Sequence, residues 1–343
     1  MVRSAIFFWL TILFVVLLGV YFKGYREKKP VVIQKDWGHC VQQTVDGGYV
    51  IVGVIWRMGG MQSYVYLVKA DTQGRKLWSK TFGQGDVNSG KSVQQTVDQG
   101  YILAGTTWSS DGTQSNIYVV KTDADGNEIW SRTYGGNRKD EGHSVRQTTD
   151  SGYIIAGHTD SFGEGNDDVY LIKTDANGTS LWSRTFGGKG RDWGRSVLQT
   201  SDGGYIVAGT TWPFEERYSD VYMMKTDERG RKIWQKTFGG RYGDYGSSMQ
   251  QTTDGGYIVV GNTWPFGTIG ESKIYLVKTD GKGGKDWVKK IGGGGSVYGL
   301  SVCQTADGGY VVVGKTEHVG SEDDDIYLVK IRGDGTRVWS MTF

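Results

Sequence analysis

The sequence predicts an all-β chain: a six-bladed β-propeller of four-stranded antiparallel blades, preceded by one N-terminal transmembrane helix. Three observations predict it. The phrase Asp-Gly-Gly-Tyr recurs with small variations at Asp46, Asp98, Asp150, Asp202, Asp254 and Asp307, at spacings of 52, 52, 52, 52 and 53 residues. A tryptophan keeps the same beat at Trp78, Trp130, Trp182, Trp234, Trp287 and Trp339, and self-similarity at such a period marks a repeat architecture. The composition, 55 Gly, 20 Tyr and 13 Trp against 3 Pro in 343 residues, describes tight turns and large aromatic anchors.

In chain order, a short tail (1–4) leads into the apolar run AIFFWLTILFVVLLGVYF at 5–22. As a helix it reaches roughly 27 Å, close to the thickness of a hydrocarbon core. A cleaved signal peptide is the alternative, but Tyr21, Phe22 and Lys23 stand where cleavage needs small residues, which favours an uncleaved signal anchor. Arg3 precedes the run while Lys23, Arg26, Lys28 and Lys29 follow it, so the charge rule points the following domain to the cytoplasm. A short anchor before a large turn-rich domain points it outward, and we take the outward orientation. Residues 23–35 form a basic tether.

The propeller is expected over 36–343, with blades at 36–83, 84–135, 136–187, 188–239, 240–292 and 293–343. Each holds four short β runs; in the fourth they are SVLQT (196–200), YIVAG (205–209), DVYMMK (220–225) and KIWQKTF (232–238). Gly-rich or Asp-Gly turns separate them, and no window after residue 22 carries helical periodicity. Four strands per unit in a ring is a propeller, with a linear solenoid as the competitor. The phase of the repeat runs from the start of a first strand at Asp36-Trp37-Gly38 to the end of a fourth at WSMTF (339–343). Closure would therefore rest on side-chain packing between the first and last blades. Cys40 and Cys303 fall two positions out of register on their inner strands, so they are expected not to form a disulfide.

The turn before each tryptophan reads K-x-D-x-x-G-x-x-x-W, as in Lys121, Asp123, Gly126 and Trp130. Here the chain resembles the tryptophan-docking repeats of quinoprotein-type, PQQ-like propellers, which include the PQQ-dependent dehydrogenases and an outer-membrane assembly scaffold. The resemblance covers 36–343 as architecture: an indole on the outer strand docks against the next blade. It implies no cofactor, because the adjacent cysteine pair of the dehydrogenases is absent and lysine stands where those repeats have alanine. In its DGGYIVAG style the chain is similar to exported DGGY-repeat proteins of archaea and bacteria.

Charge and composition exclude several functions. A formal charge of +2 argues against nucleic acid as a partner, and two cysteines with four histidines leave little for zinc or disulfide frameworks. There is no Ser-His-Asp order and no phosphate-cradling glycine loop. The once-per-blade Gln43, Gln95, Gln147, Gln199, Gln251 and Gln304 read as bridges between blades. Lys69, Lys121, Lys173, Lys225, Lys278 and Lys330 read as surface partners of turn aspartates at the lower rim.

Positions that vary between units carry the functional reading. On the upper face, one loop class supplies Asp36, Asn88, Asp140, Asp192, Asp244 and Val297, beside Trp37, Ser89, Glu141, Trp193, Tyr245 and Tyr298. A second class supplies Trp56, Trp108, Asp160, Trp212, Trp264 and Glu317, with Trp-Pro-Phe at 212–214 and again at 264–266. Indoles stack on sugar faces and carboxylates accept hydroxyl bonds. Trp37, Trp56, Trp108, Trp193, Trp212, Trp264, Tyr245, Asp36, Asp140, Asp192 and Asp244 are therefore the candidate ligand-binding residues for a glycan or cell-surface polymer. The bland alternative is that the indoles seal the top and the aspartates cap turns. Two acidic loops, with Glu164, Asp167 and Asp168 and with Glu322, Asp323, Asp324 and Asp325, have the ligand density for calcium or are simply solvated. A protein-binding scaffold of the cell envelope is the alternative function. A glycoside hydrolase built on a carboxylate pair such as Asp140 and Asp192 is the second alternative.

Overall fold

The computed structural model describes residues 35–57, 62–83, 87–264, 271–292, 295–317 and 324–343. The expected membrane segment (5–22), Glu322 and Asp323 lie outside them, as does the side chain of Asp324. Among the described residues there is no helix long and apolar enough to cross a membrane.

The chain is all-β, a propeller-like array of four-stranded antiparallel units. The four strands of the third repeat are β9 (Asp140–Gln147), β10 (Tyr153–Thr159), β11 (Asp168–Thr174) and β12 (Ser180–Phe186), paired in the order β12-β11-β10-β9. The fourth, fifth and sixth repeats follow the same plan. The first two differ, because a single parallel pairing of Ser63 with Val87 joins their strands into one eight-stranded sheet. The cause is local: Ser63 Oγ donates to Asn88 O at 2.8 Å, and Asn88 Nδ2 donates to Ser63 O at 3.1 Å, drawing the strand ends together.

Apolar residues on the facing sides of successive units are buried between them. Val50, Val52, Val65 and Leu67 of the first repeat pack with Val93, Tyr101, Leu103 and Val120 of the second. Equivalent clusters unite the second with the third, the third with the fourth, the fourth with the fifth and the fifth with the sixth. Burial of this apolar surface, worth roughly 25 cal/mol per Å², holds the array together. Five tryptophans dock as expected. Trp78 lies 5.9 Å from the Tyr101 ring and over Gly126, and Trp130 lies 5.8 Å from Tyr153 and over Gly178. Trp182, Trp234 and Trp287 cover Gly230, Gly283 and Gly335 in the same way. The sixth departs from the expectation. Trp339 is 37% exposed, and a Cβ added to Gly74, its counterpart glycine in the first repeat, would meet nothing within 4 Å.

Glutamine side chains bridge successive units. Val45 N donates to Gln95 Oε1 at 2.9 Å, and Thr149 N to Gln199 Oε1 at 2.8 Å. The repeat lysines correct the expectation of a surface rim. Lys69, Lys121, Lys173, Lys225 and Lys278 are buried, each pairing with its hairpin aspartate at 2.8–2.9 Å. The cause is the second glycine of the hairpin, which lets the ammonium cross directly beneath the backbone. Cys40 and Cys303 are both free thiols.

Candidate functional site

Each first strand carries one irregularity in the same place. Pairing slips between Gly38 and Cys40, Gly90 and Ser92, Gly142 and Ser144, Gly194 and Ser196, Gly246 and Ser248, and Gly299 and Ser301. The extra residue is His39, Lys91, His143, Arg195, Ser247 or Leu300. A bulge re-aims its extra side chain out of the ladder. In the first four units the re-aimed side chains form a polar column. His39 Nδ1 donates to Gly90 O at 2.7 Å, so its Nε2 lone pair faces Lys91 Nζ at 3.5 Å. His143 Nε2 lies 3.1 Å from His158 Nδ1, and Arg195 lies 3.2 Å from His143 Nε2 and 5.0 Å above the Trp193 ring.

Burial sets the charge of this column. Burial first, then Lys91, lowers His39 to about 4, and burial first lowers His158 to about 4. Burial, joined by Arg195, also lowers His143. All three imidazoles are thus neutral at neutral pH. Burial raises Glu141, against the pull of Arg195 and Lys91. Glu141, His143 and His158 bring one ligating atom each within 4.8 Å of one another. Two neutral imidazoles and a carboxylate suit a divalent transition metal, but the Arg195 guanidinium against His143 and the nearby Lys91 oppose a further cation. Lys91 and Arg195 face Glu141 along the column, and Asp167 and Asp140 act on its His158 end.

Beside the column lies a cavity of about 500 Å³ between the first two repeats. Its walls include Trp37, Trp56 and Trp108, with Val54 and Val87, and His39 and Lys91 also line it. Trp37 is 50% exposed. A second hollow, of about 240 Å³, is lined by Trp212, Pro213, Phe214, Arg191 and Asn166. The other aromatic candidates line neither of these two hollows. Trp193 donates Nε1 to Asp167 Oδ2 at 3.0 Å, and Trp264, though 46% exposed, leans on Tyr298 at 6.4 Å. Tyr245 is half-buried in its strand opposite Asn262.

Among the aspartates, Asp140 caps a turn. Asp140 is fully buried and accepts from Thr159 Oγ1, from Ser161 Oγ at 2.7 Å and from Gly136 N at 2.7 Å. Asp192 and Asp244 are buried at the equivalent position, where burial raises both carboxyls. Asp140 thus serves its own loop, whereas both carboxyl oxygens of Asp244 are buried without a hydrogen-bond partner, and Asp36 alone of the set is exposed. The acidic loop of the third repeat is divided rather than convergent. Asp168 Oδ2 accepts the Glu164 backbone N–H at 2.6 Å, while Asp167 turns to Trp193 and lies 3.9 Å from Arg191. Asp325 is half-buried in the third strand of the last repeat, opposite Thr316.

The sequence reading missed the bulge residues. Their signal was present: between a constant Gly and a Ser or Cys, one position runs His, Lys, His, Arg, Ser, Leu while its neighbours repeat.

No family model matches the chain. The regulatory protein FlaEY of Caulobacter vibrioides is 28% identical over 247 residues, covering 64% of this chain and 25% of that protein. The chain thus spans about a quarter of that relative's length. Among solved structures, a protein of unknown function from Dyadobacter fermentans superposes with a TM-score of 0.53 at 11% identity, covering 84% of this chain and 93% of that one. Sqt1 from Chaetomium thermophilum reaches 0.49 at 12% identity, over 89% of this chain and 71% of that one. At 11% identity the likeness to the Dyadobacter protein is one of fold.

Proposed function

We propose that the chain is a membrane-anchored, non-catalytic six-bladed propeller of the tryptophan-docking kind, which binds a glycan or cell-surface polymer through aromatic side chains of its upper face. The observation that carries this reading is the convergence of Trp37, Trp56 and Trp108, from two separate repeats, on one cavity of about 500 Å³. Repetition alone does not require it, because the equivalent positions of the third repeat are Glu141 and Asp160. Indole faces flanking an open hollow suit the C–H face of a pyranose. The hydrolase alternative loses its proposed pair, since Asp140 is engaged by three donors of its own loop and Asp192 is buried at the equivalent position. The anchor is the apolar segment 5–22, which would hold the domain at the outer face of a membrane. Closure of the ring is supported by Trp339, Tyr49 and Gly74, which repeat at the ends the residues that join every other pair of units.

The test is a glycan array probed with the full-length protein in detergent, beside the Trp37→Ala/Trp108→Ala double variant. Both side chains are partly exposed, so the melting temperature should move by only about 2–4 °C, while binding falls below detection. A variant that melts early yet binds as the parent does would identify the indoles as packing and favour the scaffold reading.

A further inference from the structure

We infer that the polymer is acidic, and that Lys91 is the residue that selects it by meeting an anionic group on a sugar ring held between Trp37, Trp56 and Trp108. The inference rests on the glycan-binding reading and adds the ligand's chemical class. Lys91 is the one charged side chain among the described residues lining the cavity. Half-buried in the cavity wall, it also differs from the fully buried lysines of this chain. Lys69, Lys121, Lys173, Lys225 and Lys278 each have a carboxylate within 2.8–2.9 Å, whereas among the described residues no carboxylate lies within 4.0 Å of Lys91.

Its surroundings hold it ready for an anion. The neutral His39 ring, fixed by its bond to Gly90 O, presents Nε2 to the ammonium at 3.5 Å. A lone-pair acceptor there orients one N–H and leaves the other two donors for a ligand. Glu141 attracts Lys91 and, more strongly, Arg195, so its carboxylate is shared between two cations. Burial penalises the Lys91 ammonium, and an anion arriving at it would relieve that penalty. A neutral sugar would stack on the indoles and leave the cation as it was. The shared ligand chemistry is a pyranose bearing a carboxylate or a sulfate ester.

The experiment measures affinity of the full-length protein for oligogalacturonate, alginate and hyaluronan oligosaccharides, each beside its carboxyl-reduced neutral counterpart, and for dextran sulfate beside dextran. The expected result is that at least one acidic member binds about tenfold tighter than its neutral partner at low salt, with the gap closing as salt rises. Lys91→Gln should erase that gap while leaving the affinity for the neutral partner within about twofold, and Lys91→Arg should retain it. The carboxylate and sulfate arms say which acid is read. Equal affinity for acidic and neutral partners, or a preference that survives in Lys91→Gln, overturns this inference and leaves glycan binding intact. Failure of every acidic and neutral polymer to bind the parent protein overturns the glycan reading, and the inference with it.

Discussion

The hairpin Asp-x-Gly-Tyr assigns a different demand to each of its residues. The second position has a left-handed backbone, with φ between 65° and 82° in all six copies, and it tolerates Gln99 and Ser151 because the space around it is open. The third position must lack a Cβ: at Gly152 one would lie 2.1 Å from Thr174 O and 2.6 Å from Lys173 Nζ. Ser151→Gly should therefore stabilise the protein by up to about 1 kcal/mol, whereas Gly152→Ala should destabilise it by roughly 1–3 kcal/mol, both read by denaturant midpoints. The aspartate explains why acid acts late. The Thr44 hydroxyl, working against burial and joined by Lys69, holds Asp46 at about 2, and Lys225 with Thr200 does the same for Asp202. Their folded values lie below the unfolded value of about 4, so their stabilisation is complete above pH 4 and is lost as pH falls towards 2. His39 and His158 act earlier, because a folded value near 4 against about 6.5 unfolded makes stability fall as pH drops below 6.5. Asp168, pushed by burial up to about 6, opposes them and favours folding as pH drops from 6 towards 4. Burial also raises Glu141, Asp192, Asp220 and Asp244, which oppose the histidines in the same way, so the decline to look for lies between pH 4 and 2, and Asp202→Asn should remove part of it. The hairpin glycines and aspartates were legible in the sequence because they repeat. The burial of the lysines was not, because nothing in a linear spacing says that an ammonium passes under a glycine.

At the scale of an element, the same bulge in every first strand does two jobs. It brings the two chains so close that a Cβ at Gly157 would lie 1.9 Å from Glu141 O, and it turns the following residue out of the ladder. The strands themselves were legible: the expected fourth-repeat runs fall largely within Arg191–Gln199, Tyr205–Trp212, Asp220–Thr226 and Lys232–Phe238. The bulge was not, since one extra residue leaves alternation intact on either side and shows only when partners are matched across the pair. That is why Lys91, His143 and Arg195 escaped notice while Trp56 and Trp108, expected in variable loops but standing at the ends of second strands, did not. The upper-face aspartates illustrate the converse. Their recurrence suggested a ligand ring, yet recurrence is also what a turn cap requires, and the Thr159, Ser161 and Gly136 donors around Asp140 show the cap.

For the whole molecule, the decisive matter is how the last repeat meets the first. Five seams are filled by apolar clusters and tryptophans, while Trp339 is 37% exposed and every side chain of the last strand, Arg337–Thr342, is exposed. In the open arrangement, removing Trp339 strips little buried surface. In the proposed closed ring it would sit over Gly74 beside Tyr49, as Trp130 sits over Gly178 beside Tyr153. Trp130 is half-buried, so Trp130→Ala should destabilise by about 2 kcal/mol, below the range for fully buried indoles. A closed ring predicts that Trp339→Ala costs about the same, and that Gly74→Trp, which fills the docking place, is as damaging as Gly178→Trp. An open array predicts that Trp339→Ala melts within about 1 °C of the parent, and that Gly74→Trp costs only its left-handed backbone strain, about 1–2 kcal/mol, and is milder than Gly178→Trp. Comparing the four denaturation midpoints distinguishes the two. A neutral Trp339→Ala beside a damaging Trp130→Ala would remove the ring from the proposal, yet leave the cavity between the first two repeats, and everything argued from it, in place.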